Sequence, residues 1–289
     1  MAANIRDVKL RINATQKTAQ ITNAMYMISA AKLKNAEKAI KGYQPYLKKI
    51  QDVVKNIMSN LDSSHDINNL LLLNREINSV CYVIITTDKG LAGGFNNTLY
   101  KKLNEEINNN HEKSIVAPIG LKGYHYTNKR HYQIYQNKYI QVKDNVEFNE
   151  LIPFIKTLIR GYVLGDFDKI VVVYNHYLNS LTQEAKSVQL LPITEDFKSD
   201  KMSAYEFDGD PEEMLKMILP IYIENVLYGL ILNSKASEHS ARMNAMKSAT
   251  DNAKDIVSKL ELMYNRARQQ AITLELTDII GGASVINNK

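Results

Sequence analysis

The sequence has no tryptophan and a single cysteine, Cys81. One thiol cannot form an intrachain disulfide. Its apolar setting, VCYVII, reads as a buried strand position, because no histidine or acid stands beside it to activate the sulfur. No run of eighteen apolar residues occurs, so no membrane span is expected. The polar, helix-like first twenty residues argue against a secretory leader. The histidines, at 65, 111, 125, 131, 176 and 239, lack metal-ligand spacing, so no metal and no cofactor is expected. No glycine-flanked serine suggests a nucleophile. With 289 residues the chain can still build one large domain or two modest ones around a packed core.

Glycine and proline are missing altogether between Leu230 and Ile280. Apolar or small residues there fall at Met246, Ala249, Ala253, Ile256, Leu260, Met263 and Ala267, continuing through Gln270 to Leu274. Steps alternating three and four predict a heptad seam with one helical partner. At about 1.5 Å per residue this stretch would reach roughly 75 Å, too long for an ordinary core helix. The N-terminal arm, Asn4 to Leu61, reads as the partner. Asn4 can cap it, and Asp7 faces the positive end of the helix dipole. Its stripe begins with Ile5, Val8 and Ile12, then resumes one position out of register at Ile21, Met25, Ile28 and Ala31, and again at Ala36, Ala39 and Tyr43. Gly42 and Pro45 should kink or weaken that helix, though the periodicity survives them. The alanines of both seams allow close helix approach while burying little apolar area.

Between the arms the period changes. Val80–Thr87 is a β-branched run ending in DKGLAGG, followed by a helical pattern from Phe95 to Asn109 and a short strand pattern from Ser114 to Ile119. A helix around 150–164 precedes DKIVVVY at 168–174, and Ala185–Ile193 reads as one more strand. Strand, Gly-rich turn, helix, strand, helix, strand in this order predicts a doubly wound, parallel α/β sheet. Asp210 as cap, Pro211 at the first helical position, and Glu212 and Glu213 in the first turn mark the return to helix, which Pro220 should bend. Gly281-Gly282 is expected to end it in a left-handed cap. The reading is therefore an α/β chain: a long antiparallel two-helix coiled coil with an inserted Rossmann-like domain. The segments are a helix over 1–61, a globular domain with its linker over 62–209, and a helix over 210–289.

The net charge of +5 is concentrated at one end. From Met1 to Lys49 the basic residues are Arg6, Lys9, Arg11, Lys17, Lys32, Lys34, Lys38, Lys41, Lys48 and Lys49, against Asp7 and Glu37. A solvated helix face needs only half this density, so the arm suits an anionic neighbour: nucleic acid, lipid headgroups or an acidic protein surface. DKGLAGG lacks the Gly-Lys-Ser/Thr ending of a phosphate loop and is not G-x-G-x-x-G, and it reads as a tight strand-to-helix turn.

The strings RINATQKTAQITNAMYMISAAKLKNAEKA, TTDKGLAGGFN and SEHSARMNAMKSATDNAKDIVSKLELMYNRARQQAITLELTDIIGGA resemble the gamma subunit of F-type ATP synthases, from about residue 4 to 284. The two terminal blocks are specific, and the middle matches at the DKGLAGG turn and in pattern. The resemblance implies a non-catalytic rotor shaft. It would stand in a ring of alpha and beta subunits, rest on the c-ring beside the epsilon subunit, and couple proton flow to ATP synthesis or hydrolysis. It implies a peripheral position on the cytoplasmic face of the cell membrane. By position, Arg268 and Gln269 match residues that bind a catch loop of a beta subunit, and Met25, with Lys32 nearby, lies close to the acidic lever of that subunit. Tyr205 and Glu206 align near the c-ring or epsilon, and Ile5, Val285 and Ile286 with the apolar tip in the sleeve. For Met25 a seam position, and for Arg268 an exposed helical arginine, are the plain alternatives. The cysteine-bearing regulatory segment of the chloroplast form is absent, and no presequence precedes the match, which favours a bacterial protein. A paralogous shaft serving an ATPase ring without a proton channel would carry the same architecture. Nucleic-acid binding by the basic arm and an enzyme built on the α/β domain are the rival classes.

Overall fold

The computed structural model describes residues 5–59, 70–73, 75–110, 112–193 and 210–287. The chain divides into two compact units. One holds, among the described residues, 5–28 with 243–287; the other is Ser29–Arg242. Helices α1 (Ile5–Ser59) and α5 (Pro211–Asn287) each contribute to both.

The larger unit is built on a five-stranded sheet of order β3-β2-β1-β4-β5, with β1 at Ser79–Ile85, β2 at Lys113–Ile119, β3 at Gln133–Ile134, β4 at Lys169–Tyr177 and β5 at Gln183–Leu191. β1 pairs in parallel with β2 and β4, β3 extends that parallel set, and β5 closes the other edge antiparallel. SVCYVII carries no alternation because β1 is buried on both faces. Cys81, Val83 and Ile85 face a core with α4 (Phe148–Leu164), the first turns of α5 and the end of α1: Leu151, Ile155, Leu158, Leu219, Ile223, Val54 and Ile57. Val80, Tyr82 and Ile84 face a second core with Phe95, Leu99 and Leu103 of α2 (Phe95–Asn109). Each Leu or Ile hidden this way contributes about 1.5–3 kcal/mol, so the sheet is held from both sides.

Ends of elements follow local chemistry. Asp210 Oδ1 accepts the Glu212 amide at 3.1 Å and its carbonyl accepts the Met214 amide, so α5 starts at the expected Pro211. α4 stops at Gly165, whose φ of 84° is the left-handed cap; the Asp166 amide donates back to the Gly161 carbonyl at 2.9 Å. Burial pushes the Cys81 thiol far up, which keeps it inert.

α1 runs through Gly42 and Pro45 as one helix, in line with the periodicity that continues past them; Tyr43 and Leu47 pack against α5 where Gly229 leaves room for them, at 3.5 Å from the position of its missing Cβ. Other expectations are corrected. α5 passes through Gly281 and Gly282 to Asn287; glycine costs about 1 kcal/mol in a helix interior and does not forbid it. Helix α3 (Leu121–Lys129) and β3 were not anticipated. α5 also contains a window of mean hydropathy 1.5, long and apolar enough to cross a membrane, and half of that window is buried inside the protein. Leu215, Leu219, Ile223, Leu227 and Ile231 fill the core there, which explains the hydropathy without a bilayer. Asn4, the expected cap of α1, lies outside the described residues.

In the smaller unit the first turns of α1 lie antiparallel to α5. Thr22 meets Thr250 at 2.7 Å between hydroxyls, and one groove is lined by Gln16, Ala19 and Gln20 together with Lys254, Val257 and Ser258, so one index falls as the other rises. Buried and half-buried positions recur at Val8, Ile12, Thr15, Ala19 and Thr22 on α1, and at Met246, Thr250, Ala253, Val257, Leu260, Tyr264 and Ala267 on α5, in steps of four and three. The expected seam is therefore right at Met246, Ala253, Leu260 and Ala267 and displaced by one residue between them. Ile256 and Met263 face outward, 49% and 57% exposed. On α1 the register does not slip at Ile21. Ile21 and Ile28 are exposed, and the seam continues through threonines.

Candidate functional site

In a sheet that grows outward from β1 in both directions, the crevice beyond the carboxyl ends of β1 and β4 is the usual ligand position. Here the chain fills it with its own helix. Asn175 of β4, fully buried, donates to the Phe95 carbonyl at 2.9 Å, accepts from Thr98 Oγ1, and offers its own carbonyl to Ser237 Oγ of α5 at 2.9 Å. Ala241 joins the core of Ala92 and Phe95. Arg242 Nη2 reaches the Lys89 carbonyl of DKGLAGG at 3.5 Å. The turn itself is tied down: Asn96 holds Thr87 through both amide atoms, and Asp88 Oδ1 accepts the Leu121 amide at 2.9 Å. These residues make a strand-to-helix turn packed under α5, and not a phosphate cradle. Among the described residues there is no group of three or more His, Cys, Asp or Glu placed to hold a metal.

The exposed chemistry lies on the helices. Ile5 lies seventeen residues before Thr22, and seventeen beyond Thr250 is Ala267. From residue 268 on, α5 therefore has no described α1 residue opposite it. Ile272, Leu274, Leu276, Ile279 and Ile280 are 48–67% exposed along this part, an apolar surface of the kind that marks an interaction site.

A denser polar cluster sits in the larger unit. Glu238 of α5 is 4% exposed and lies between Lys235 Nζ at 3.0 Å and Arg242 Nη2 at 2.8 Å. Burial alone would raise its pKa; the two cations outweigh that and hold it below the usual range. Next to it, His239 Nε2 lies 3.9 Å from Asp144 Oδ1, while Asp144 Oδ2 receives Lys32 Nζ at 2.6 Å. Burial raises the Asp144 carboxyl too, and the Lys32 hydrogen bond and charge, with His239 and Lys235, bring it below its ordinary value. His239 is 1% exposed, and burial depresses it to about 4, against the opposing pull of Glu238 and Asp144.

The match to known proteins is of full length. A family model described as ATP synthase aligns with residues 4–286. The ATP synthase gamma chain of Macrococcus caseolyticus (strain JCSC5402) is 41% identical over 290 residues, covering 98% of this chain and 99% of that protein. This chain belongs to the ATP synthase gamma-chain family. Two solved structures share the fold: a chain of the Euglena gracilis mitochondrial ATP synthase, at 18% identity with a TM-score of 0.70 over 98% of this chain and 94% of that one, and one of the Tetrahymena thermophila mitochondrial ATP synthase central stalk and c-ring, at 22% with a TM-score of 0.58 over 79% and 99%.

With the gamma-chain family in hand, the residues named from sequence can be placed. Arg268 and Gln269 are adjacent and exposed on α5, just past the end of the paired stretch. Met25 is half-buried on α1, on the same stripe as the exposed Ile21 and Ile28, at steps of four and three. Lys32 is in the other unit, engaged by Asp144. Ile5 is half-buried at the first described position. Tyr205 and Glu206, and the side chains of Val285 and Ile286, lie outside the described residues. Sequence reading missed the cluster around Asp144 and Glu238, although Lys235, Glu238 and Arg242 stand at the three- and four-residue spacing of helical ion pairs.

Proposed function

We propose that the chain is the non-catalytic central shaft of a bacterial F-type ATP synthase. It would transmit torque between a membrane-embedded c-ring and a catalytic ring of alpha and beta subunits, on the cytoplasmic face of the membrane and with epsilon beside it. The relatives named above come from ATP synthases, two of them solved with a c-ring. The observation that carries the reading is the last part of α5: past the start of α1 it carries exposed Ile272, Leu274, Leu276, Ile279 and Ile280, on the same helix whose first turns pack in the α/β core. Such a surface needs an enclosing partner. Arg268 and Gln269 stand at its base and would bind a beta subunit, the arginine as a charge-assisted donor to carboxylate. Met25 would meet the same subunit's acidic lever. Lys32 would contribute to that contact only as far as Asp144 releases it. Tyr205 and Glu206 are assigned to the c-ring or epsilon, and Ile5, Val285 and Ile286 to the sleeve.

The test is reconstitution. Mixed with alpha and beta subunits, the chain should form a stoichiometric complex that turns over ATP, and Arg268→Ala with Gln269→Ala should lower that turnover roughly tenfold, the scale of a lost charged hydrogen bond. A chain that ignores the ring, or unchanged turnover in the double variant, defeats the assignment. A complex that forms with the ring but never with a c-ring would point instead to a shaft without a proton channel.

A further inference from the structure

From Ser234 to Ala241 every residue of α5 is buried, and none is an apolar side chain larger than alanine. Packing alone gives such a stretch little to fix its rotation or its sliding, since serine and alanine fit equally well one position on. What distinguishes this segment is charge. Buried ionic groups add little net stability because desolvation offsets their attraction, and their best-attested use is to fix register. The cluster here joins three segments. Asp144, on the loop before α4, binds Lys32 of α1 and approaches His239 of α5. The loop is itself fixed on both sides, by Lys143 pairing with Glu150 at 2.5 Å and by the Val146 carbonyl accepting from Tyr228 at 2.9 Å. Glu238, neighbour of His239, is held by Lys235 and Arg242, and Arg242 continues to the Lys89 carbonyl beyond β1. Lys32 is three residues from Ser29, where α1 enters this unit, and Arg242 is its last residue on α5.

We infer that the Lys32–Asp144 pair and Arg242, which Glu238 aims at the Lys89 carbonyl, form a register collar that fixes the rotation of α1 and α5 against the α/β body. These are positioning residues. The inference rests on the shaft reading above: a shaft delivers torque only if its helices cannot slip in the body that grips them. A collar of this kind should matter for coupling more than for folding.

The experiment uses the assembled complex in vesicles, measuring ATP hydrolysis, ATP-driven proton uptake and the melting temperature of the chain. Asp144→Asn should leave assembly and melting temperature near the parent's and lower proton uptake per ATP hydrolysed about two- to fivefold, the ratio that a half-exposed ion pair supports. Asp144→Glu should restore it. The triple replacement K235M/E238L/R242M, which keeps volume and removes charge, should melt no lower than the parent and lose coupling further. Coupling unchanged in both the Asn and the triple variant overturns the collar while leaving the shaft intact. A parent chain that never assembles overturns the shaft reading instead. If the triple variant fails to assemble, the Asn and Glu pair decides by itself.

Discussion

Lowering the pH from 7 to 5 should cost the larger unit about 2 kcal/mol through one side chain. His239 is buried and its folded value is depressed from 6.5 to about 4, burial being the main cause. A base whose folded pKa lies below its unfolded one binds fewer protons when folded, so stability falls as pH drops through the unfolded value and goes on falling until the folded value is reached. At 1.36 kcal/mol per unit the full loss is about 3 kcal/mol, of which about 2 appears by pH 5. The charged groups around the ring are Glu238, Asp144, Lys235 and Arg242, with Lys32 beyond Asp144. Both carboxylates are held below their ordinary range, so they remain ionised down to pH 5 and titrate beneath this window. Urea unfolding at pH 7 and 5, for the parent and for His239→Gln, isolates the effect. His176, also depressed by burial, contributes equally to both and cancels. The parent should lose about 2 kcal/mol more than the variant between the two pH values. Equal losses would refute the claim that His239 is held neutral by burial.

Three further outcomes bear on the fold. Ile155→Ala, at a fully buried site under the sheet, should cost about 2–5 kcal/mol in denaturant unfolding, and a loss under 1 would contradict its place in the core. Gly120→Ala should unfold or strongly destabilise the chain by thermal melting, because φ is +92° and the new Cβ would sit 2.3 Å from the Thr86 carbonyl oxygen, and a near-normal melting temperature would show that contact to be wrong. Ile256→Gln and Met263→Gln should lie within about 0.5 kcal/mol of the parent, whereas Val257→Gln and Tyr264→Gln should each be more destabilising; the reverse order would restore the seam expected from sequence.

What the sequence disclosed was decided by how much apolar area each element buries. β1 and β4 are legible because each carries a continuous β-branched run, and α2 and α4 because Phe95, Leu99 and Leu103, and Leu151, Ile155 and Leu158, recur at helical steps. α3 buries only Gly123 and Thr127, so no apolar period announces it, and two-residue β3 is too short to carry one. The helical seam was half legible for a related reason. Met246, Ala253, Leu260 and Ala267 belong to both possible heptad tracks, and neighbouring positions on a helix are only 100° apart. Ile256 and Met263 are the better seam by hydropathy, yet Val257 and Tyr264 are the half-buried positions. The Asp144 and Glu238 cluster was illegible because charges within a helix ordinarily read as a solvated face. Arg268 and Gln269 were reachable only through resemblance, since nothing in their spacing marks them.

The exposed isoleucines and the buried charges follow from a single constraint. A helix that must bind only its own chain would place Ile21, Ile28, Ile256 and Met263 inward and its threonines and serines outward; α1 and α5 do the opposite along part of their length. That arrangement gives up apolar burial of roughly 1.5–3 kcal/mol per side chain within the monomer. It leaves those side chains available to a partner, and it puts hydroxyls, small residues and ion pairs where the two helices meet each other and the sheet. The α/β domain shows the same preference at its ligand crevice, where Ser237, Ala241 and Arg242 of α5 occupy the space beyond β1 and β4. A fold that elsewhere holds a small molecule at that point here holds the root of its own helix. The body can then grip α5 through the strongest part of the sheet, where five parallel-rich strands converge on two apolar cores.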